Sequence, residues 1–142
     1  MENEITVAKS DIKPFDFDVS QCPDLFPVLS ILACGAKGKS TLYNAERLRI
    51  KESDRIKTTK ELILGLGGMA QETNNSLIIY GNGRLVGGEV DSYNDHRIAM
   101  SAFCASAICE NDVILNDAKA IDKSYPSFME DFNKIGGILD VI

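Results

Sequence analysis

The sequence predicts an α/β fold made of two similar units, on three observations. Strand-like runs alternate with helix-length runs of amphipathic or apolar period along most of the chain. Glycine and asparagine clusters punctuate those runs where turns are needed. Landmarks of the first half also return in the second: Asp24 and Asp95 lie 71 residues apart, Asn44 and Asn116 72, Lys51 and Lys123 72, and Gly67-Gly68 and Gly136-Gly137 69. So small a drift reads as an internal repeat.

The first unit, about 14–82, opens with a strand over 15–19, where Phe15, Phe17 and Val19 alternate with polar residues. A helix over 24–34 follows, with Leu25, Phe26, Val28, Leu29, Ile31 and Leu32 making it apolar nearly all round, as expected of a helix buried on every side. Pro27 falls in its first turn, where backbone N–H groups have no helical acceptor. Next come a strand over 40–44 and a helix over 51–66, whose Lys57, Lys60 and Glu61 oppose Ile56, Ile63 and Leu66, so that one face meets solvent. The glycines of 64–68 stop that helix by supplying a left-handed cap. Strands over 69–73 and 76–80 close the unit, and Gly81-Asn82-Gly83 turns the chain into the next.

The second unit, about 83–142, repeats the order with a strand over 85–90, a helix over 95–108 that is Ala-rich and uncharged from Ile98 to Ile108, and a strand over 113–116. A helix over 124–135 sets Glu130, Asp131 and Lys134 against Phe128, Phe132 and Ile135, and a strand over 138–141 ends the pattern.

A chain of 142 residues with 44% hydrophobic and 25% charged content is enough for one domain with a core. Its formal charge of −6 argues against a nucleic-acid or anionic-membrane partner, so any anion site must be a local cluster. Cys22, Cys34, Cys104 and Cys109 form no C-x-x-C pair and only one histidine is present, so the cysteines read as buried reduced thiols and no metal is expected. Neither an apolar leader nor a membrane-length apolar run occurs, which points to the cytoplasm. P-loop and dinucleotide fingerprints are missing too; Gly35-Ala36-Lys37-Gly38-Lys39-Ser40 has the wrong spacing and precedes a strand.

The polar residues hardest to explain as surface filler gather at strand-to-helix junctions: Asp24, Lys51, Glu52, Arg55, Asp95, His96, Arg97 and Lys123. Helix starts carry a partial positive charge, so Lys51, Arg55, Arg97 and Lys123 oppose the local preference, and a bound anion would offset this. Helical spacing would put Lys51 and Arg55 on one face, with Glu52 beside them. Judged singly, these residues fit plainer roles: a solvated ion-pair face, a capping or core histidine at His96, helix-start carboxylates at Asp24 and Asp95.

Leu48-Arg49-Ile50-Lys51-Glu52-Ser53-Asp54-Arg55 and Tyr93-Asn94-Asp95-His96-Arg97-Ile98-Ala99-Met100 resemble two signatures of the 5-enolpyruvylshikimate-3-phosphate (EPSP) synthase family. Cys22-Pro23-Asp24-Leu25-Phe26-Pro27 and Asp122-Lys123-Ser124-Tyr125-Pro126 extend the resemblance, in order, over nearly the whole chain. It implies the enolpyruvyl transferase fold, two domains each of three βαβαββ units, of which residues 1–142 would hold about two units of the C-terminal domain. The implied activity is transfer of the enolpyruvyl group of phosphoenolpyruvate to the 5-hydroxyl of shikimate 3-phosphate, releasing phosphate, with no cofactor.

By that resemblance Arg55, Arg97 and Lys123 hold phosphoenolpyruvate, while Asp24 and Lys51 contact shikimate 3-phosphate. Asp24 is the base for the 5-hydroxyl and Glu52 the proton donor to the enol carbon, with Lys123 a competitor for that work. Arg47 stands where some relatives carry an Asn that touches the shikimate skeleton, which leaves its role open. The implied partners are the two anionic substrates and the enzyme's N-terminal domain, without which the chain is expected to be inactive. Two other readings remain at this point: the related transferase acting on a UDP-linked amino sugar, and a non-catalytic binding or assembly module.

Overall fold

Short strands and helices give the order β1 (Asp16–Asp18), α1 (Phe26–Cys34), β2 (Lys37–Tyr43), α2 (Arg55–Gly65), β3 (Ala70–Glu72), β4 (Leu77–Asn82), β5 (Gly88–Asp91), α3 (His96–Ser106), β6 (Val113–Asn116) and α4 (Phe128–Lys134). The structure is a computed structural model that describes residues 5–6 and 8–141. Single 3-10 turns lie at Pro23–Leu25, Glu46–Ile50 and Ala118–Lys123.

One sheet has the order β1-β2-β4-β3 and the other pairs β5 with β6. β1 and β2 are parallel with α1 as their crossover, and β5 and β6 are parallel with α3 as theirs. The two crossovers match in register: Asp16 pairs with Thr41 and, 72 residues on in both strands, Gly88 pairs with Val113. The spacing of landmarks in the sequence is therefore also the spacing of strand partners. Both sheets cover one core in which α1, α2 and α3 pack on each other, with Phe26, Leu42, Ile56, Leu62, Ile63, Leu77, Ile79 and Ile98 fully buried. Each such side chain contributes about 1.5–3 kcal/mol over its exposed state.

Several boundaries differ from expectation, and each difference has a local cause. Asp24 sits in the 3-10 turn and α1 begins only at Phe26, with Pro27 in its first turn. α2 starts at Arg55 because the Asp54 carboxylate accepts the Lys57 N–H and caps it, leaving Lys51 extended (φ −85°, ψ −162°). Lys51 and Arg55 therefore share no helix face. Lys123 ends a 3-10 turn and opens no helix, α4 beginning five residues later at Phe128.

The strand expected over 138–141 does not form. β3, its counterpart in the first unit, pairs only with β4, and no strand among the described residues takes that place in the second; Ile138 is 93% exposed. Leu85 makes only a single bridge to Cys109, and Gly87 and Gly88 at positive φ delay the β5 ladder to Gly88. α1 is not buried on all sides: Leu25 just before it, with Val28 and Leu32, forms an exposed stripe. Of the cysteines only Cys34 is buried, Cys104 is exposed, and all four are free thiols.

Gly81 continues β4, where a turn was expected. A Cβ there would lie 2.3 Å from the Ala36 carbonyl oxygen and 2.4 Å from that of Ala33. Both obstacles are backbone at the end of α1, so neither can swing aside. Gly81→Ala is expected to lower unfolding free energy by about 3 kcal/mol in urea titration, as overpacking does. A change under about 1 kcal/mol would mean that the strand moves off the helix end easily.

Candidate anion-binding site

Two capped helix starts build the site. The Asp54 cap leaves Arg55 as the first residue of α2, and the Asp95 carboxylate accepts the Arg97 N–H at 2.9 Å and caps α3, leaving Arg97 as its second residue. Because α1, α2 and α3 pack together, these ends meet beside the turn that precedes α1.

Asp95 is fully buried and the centre of the cluster. One oxygen accepts from Arg55 Nε at 2.8 Å and Ser53 Oγ at 2.9 Å, the other from Arg55 Nη2 at 3.2 Å and the Arg97 N–H. Burial pushes its carboxyl up, but the Arg55 hydrogen bonds and charge, with the Ser53 and Arg97 donors, outweigh burial and hold it below the usual range. Arg55 is only 3% exposed and its guanidinium is held above its ordinary value: burial opposes this, and Asp95 and then Asp24 overcome it.

Asp24 joins the two helices. Its Oδ1 accepts from Arg55 Nη1 at 2.8 Å and its Oδ2 from Arg97 Nη2 at 3.1 Å. Arg97 Nε is buried without a hydrogen-bond partner, while the Asp24 carboxylate remains half exposed. Side chains 31 and 73 residues from Asp24 thus converge on one carboxylate. Next to them Glu52 Oε2 lies 3.0 Å from Nδ1 of His96. Lys123 donates through Nζ to the carbonyl of Asn94, the residue before Asp95. Arg47 and Lys51 are exposed, and neither side chain makes a hydrogen bond or ion pair among the described residues.

Glu52, Asp95 and His96 each bring a possible ligand atom within 4.8 Å of the others. A metal would fit poorly there, because four donors already fill the acceptor positions of Asp95 and two of them belong to the Arg55 cation. A hollow of about 380 Å³ at the far end of α2 is lined by Glu61, Glu89 and Asp91 and repels anions.

Sequence reasoning placed Asp24, Glu52, Arg55, Asp95, His96 and Arg97 at helix starts, where the structure brings them together, but it missed Ser53 and read Asp95 most simply as a helix-start carboxylate. Asp95 does cap α3, but it also holds Arg55 from another element, which no periodicity reveals.

The sequence model of EPSP synthase (3-phosphoshikimate 1-carboxyvinyltransferase) matches residues 1–132. The chain belongs to the EPSP synthase family. It is 46% identical over 136 residues to the 3-phosphoshikimate 1-carboxyvinyltransferase of Clostridium novyi (strain NT), covering 96% of this chain and 31% of that protein. With the Clostridioides difficile (strain 630) enzyme it shares 48% over 124 residues, 87% of this chain and 28% of the relative. Among solved structures, EPSP synthase from Acinetobacter baumannii superposes with a TM-score of 0.81 at 33% identity over 86% of this chain and 29% of that one. The enolpyruvyl transferase NikO from Streptomyces tendae, at TM-score 0.68 and 19% identity over 89% of this chain and 28% of its own, shares the fold. The chain thus spans about a third of the length of these family members. No helix among the described residues is long and apolar enough to cross a membrane.

Proposed function

We propose that residues 1–142 form part of the C-terminal domain of an EPSP synthase, in two repeat units of about 14–82 and 83–142, and one wall of its active site in the cytoplasm. The reaction is transfer of the enolpyruvyl group of phosphoenolpyruvate to the 5-hydroxyl of shikimate 3-phosphate, with release of phosphate. The observation that carries this reading is the convergence of Arg55 and Arg97 on Asp24, with Arg97 Nε left unpartnered. Guanidinium forks match carboxylate and phosphate groups, and phosphoenolpyruvate has both. Asp24 bonds to both guanidinium groups, where the substrate anion would supply the negative charge instead.

Arg55, rigid on buried Asp95, and Arg97 hold the phosphoenolpyruvate anion, and Lys123 approaches from the Asn94 side. When the anion engages the guanidinium groups, the Asp24 carboxylate is released toward the shikimate 5-hydroxyl and accepts its proton as the oxygen attacks C2 of phosphoenolpyruvate. Glu52, held by His96, donates a proton to C3, giving a tetrahedral intermediate. The Glu52 carboxylate then takes back a proton from the C3 methyl group as the C2–O bond to phosphate breaks, which restores the C2=C3 double bond and yields the product. Fixed cations offset the growing negative charge without reorganising. Lys51 and Arg47, whose side chains make no hydrogen bond or ion pair among the described residues, reach toward shikimate 3-phosphate.

The remaining two thirds of a relative would form the facing wall, orienting the substrates and excluding water. The purified chain alone is expected to release no phosphate from phosphoenolpyruvate in the presence of shikimate 3-phosphate. Mixed with the complementary polypeptide of the Clostridium novyi enzyme, it should regain turnover. Release by the chain alone, or none from a complex shown to have assembled, would overturn the reading; a binding module would give the second result.

A further inference from the structure

The segment between β2 and α2 carries Glu52 and Ser53, yet a short 3-10 turn and an extended Lys51 give it little backbone support of its own. We propose that Arg49, which the reaction scheme does not use, is the positioning residue that sets this segment against His96 and Asp95. The inference rests on the proposed function for its catalytic consequence.

All three nitrogens of Arg49 are engaged. Nη1 donates to Asp54 at 2.9 and 3.2 Å and to Glu72 Oε2 at 3.0 Å, Nη2 donates to the Thr73 carbonyl at 2.6 Å, and Nε donates to the Asn74 carbonyl at 3.3 Å. These partners lie on two elements. Asp54 caps α2, whereas Glu72, Thr73 and Asn74 form the end of β3 and its turn into β4, where Glu72 is also held by Lys60 Nζ at 2.6 Å. The upstream end of the segment meets the same turn, the Ala45 N–H donating to the Asn75 carbonyl at 2.8 Å.

Between Arg49 and Asp54 the chain is therefore closed into a loop whose ends are fixed. Its projecting residues are the ones that reach the site: Glu52 to His96 at 3.0 Å and Ser53 to Asp95 at 2.9 Å. Exposed ion pairs add little to stability, and Arg49 is 28% exposed, so geometry is the larger effect of this clamp. A planar fork suits it, because one ammonium cannot face two carboxylates and two carbonyls at once.

His96, the chain's one histidine, reports the position of Glu52 directly. At constant pH its ring-proton NMR signals in Arg49→Met are expected to move toward those of Glu52→Gln. Amide exchange at Lys51, Glu52 and Ser53 should quicken by about tenfold or more while α3 keeps its protection. Arg49→Lys should resemble Arg49→Met, and Arg84→Met, which breaks an exposed pair with Glu110, should leave His96 unchanged. Wild-type His96 signals in folded Arg49→Met, or full recovery by lysine, would overturn the inference. If Arg49→Met does not fold, Glu72→Gln carries the test: a smaller shift in the same direction supports the clamp and an unmoved signal refutes it. No substrate is needed, so a complemented enzyme without turnover would sink the proposed function and leave this result standing.

Discussion

Asp95→Ala is expected to cost about 3–5 kcal/mol, because it leaves the 3%-exposed Arg55 guanidinium buried without its main partner. A domain holds only about 5–15 kcal/mol in total, so the variant should be largely unfolded in urea concentrations that leave the parent native. Loss of the α3 cap adds about 1 kcal/mol to the damage. Asp95→Asn keeps an acceptor for the Arg97 N–H but turns a donor toward Arg55, and should fall between the two. Acid acts on the same group. Since the folded-state pKa of Asp95 is depressed, its contribution is present above the unfolded value and lost as pH falls through the folded one. An Asp95→Ala midpoint within about 1 kcal/mol of the parent would show that water reaches Arg55 and replaces the carboxylate.

The repeat was legible in the sequence because the two crossovers share strand register, so strand ends and helix starts recur at one spacing. That Asp24, Arg55 and Arg97 all lie near helix starts was legible too, but their meeting on the Asp24 carboxylate comes from packing. Element boundaries were less legible where side chains rather than periodicity decide them. Asp54 was a better cap than anything near Lys51, so α2 begins later and Lys51 leaves the helix. The closing strand at 138–141 matched β3 in pattern, but an edge strand needs a partner, and hydrophobic residues do not supply one. Ser53 and Arg49 were missed for the same reason: their partners, Asp95 and Glu72, are 42 and 23 residues away and brought close only by packing.

Arg97→Ala should separate the two substrates. In the complemented enzyme it is expected to weaken phosphoenolpyruvate by roughly 10- to 100-fold, the range of one or two charge-assisted hydrogen bonds, and to change shikimate 3-phosphate by less than about threefold. The reason is that Arg97 offers Nε, buried and unpartnered, and Nη2, whose partner Asp24 is half exposed and able to turn away. Both donors then serve the same anion. The fold should tolerate the change, because Arg97 is one-third exposed and its capping contact runs through the backbone N–H, which alanine retains. Arg97→Lys keeps the charge without the fork and should recover only part of the affinity. Dissociation constants for each substrate, measured by equilibrium titration, decide the matter. Equal weakening of both would place the two substrates on the same guanidinium and assign the wrong one to this edge of the site.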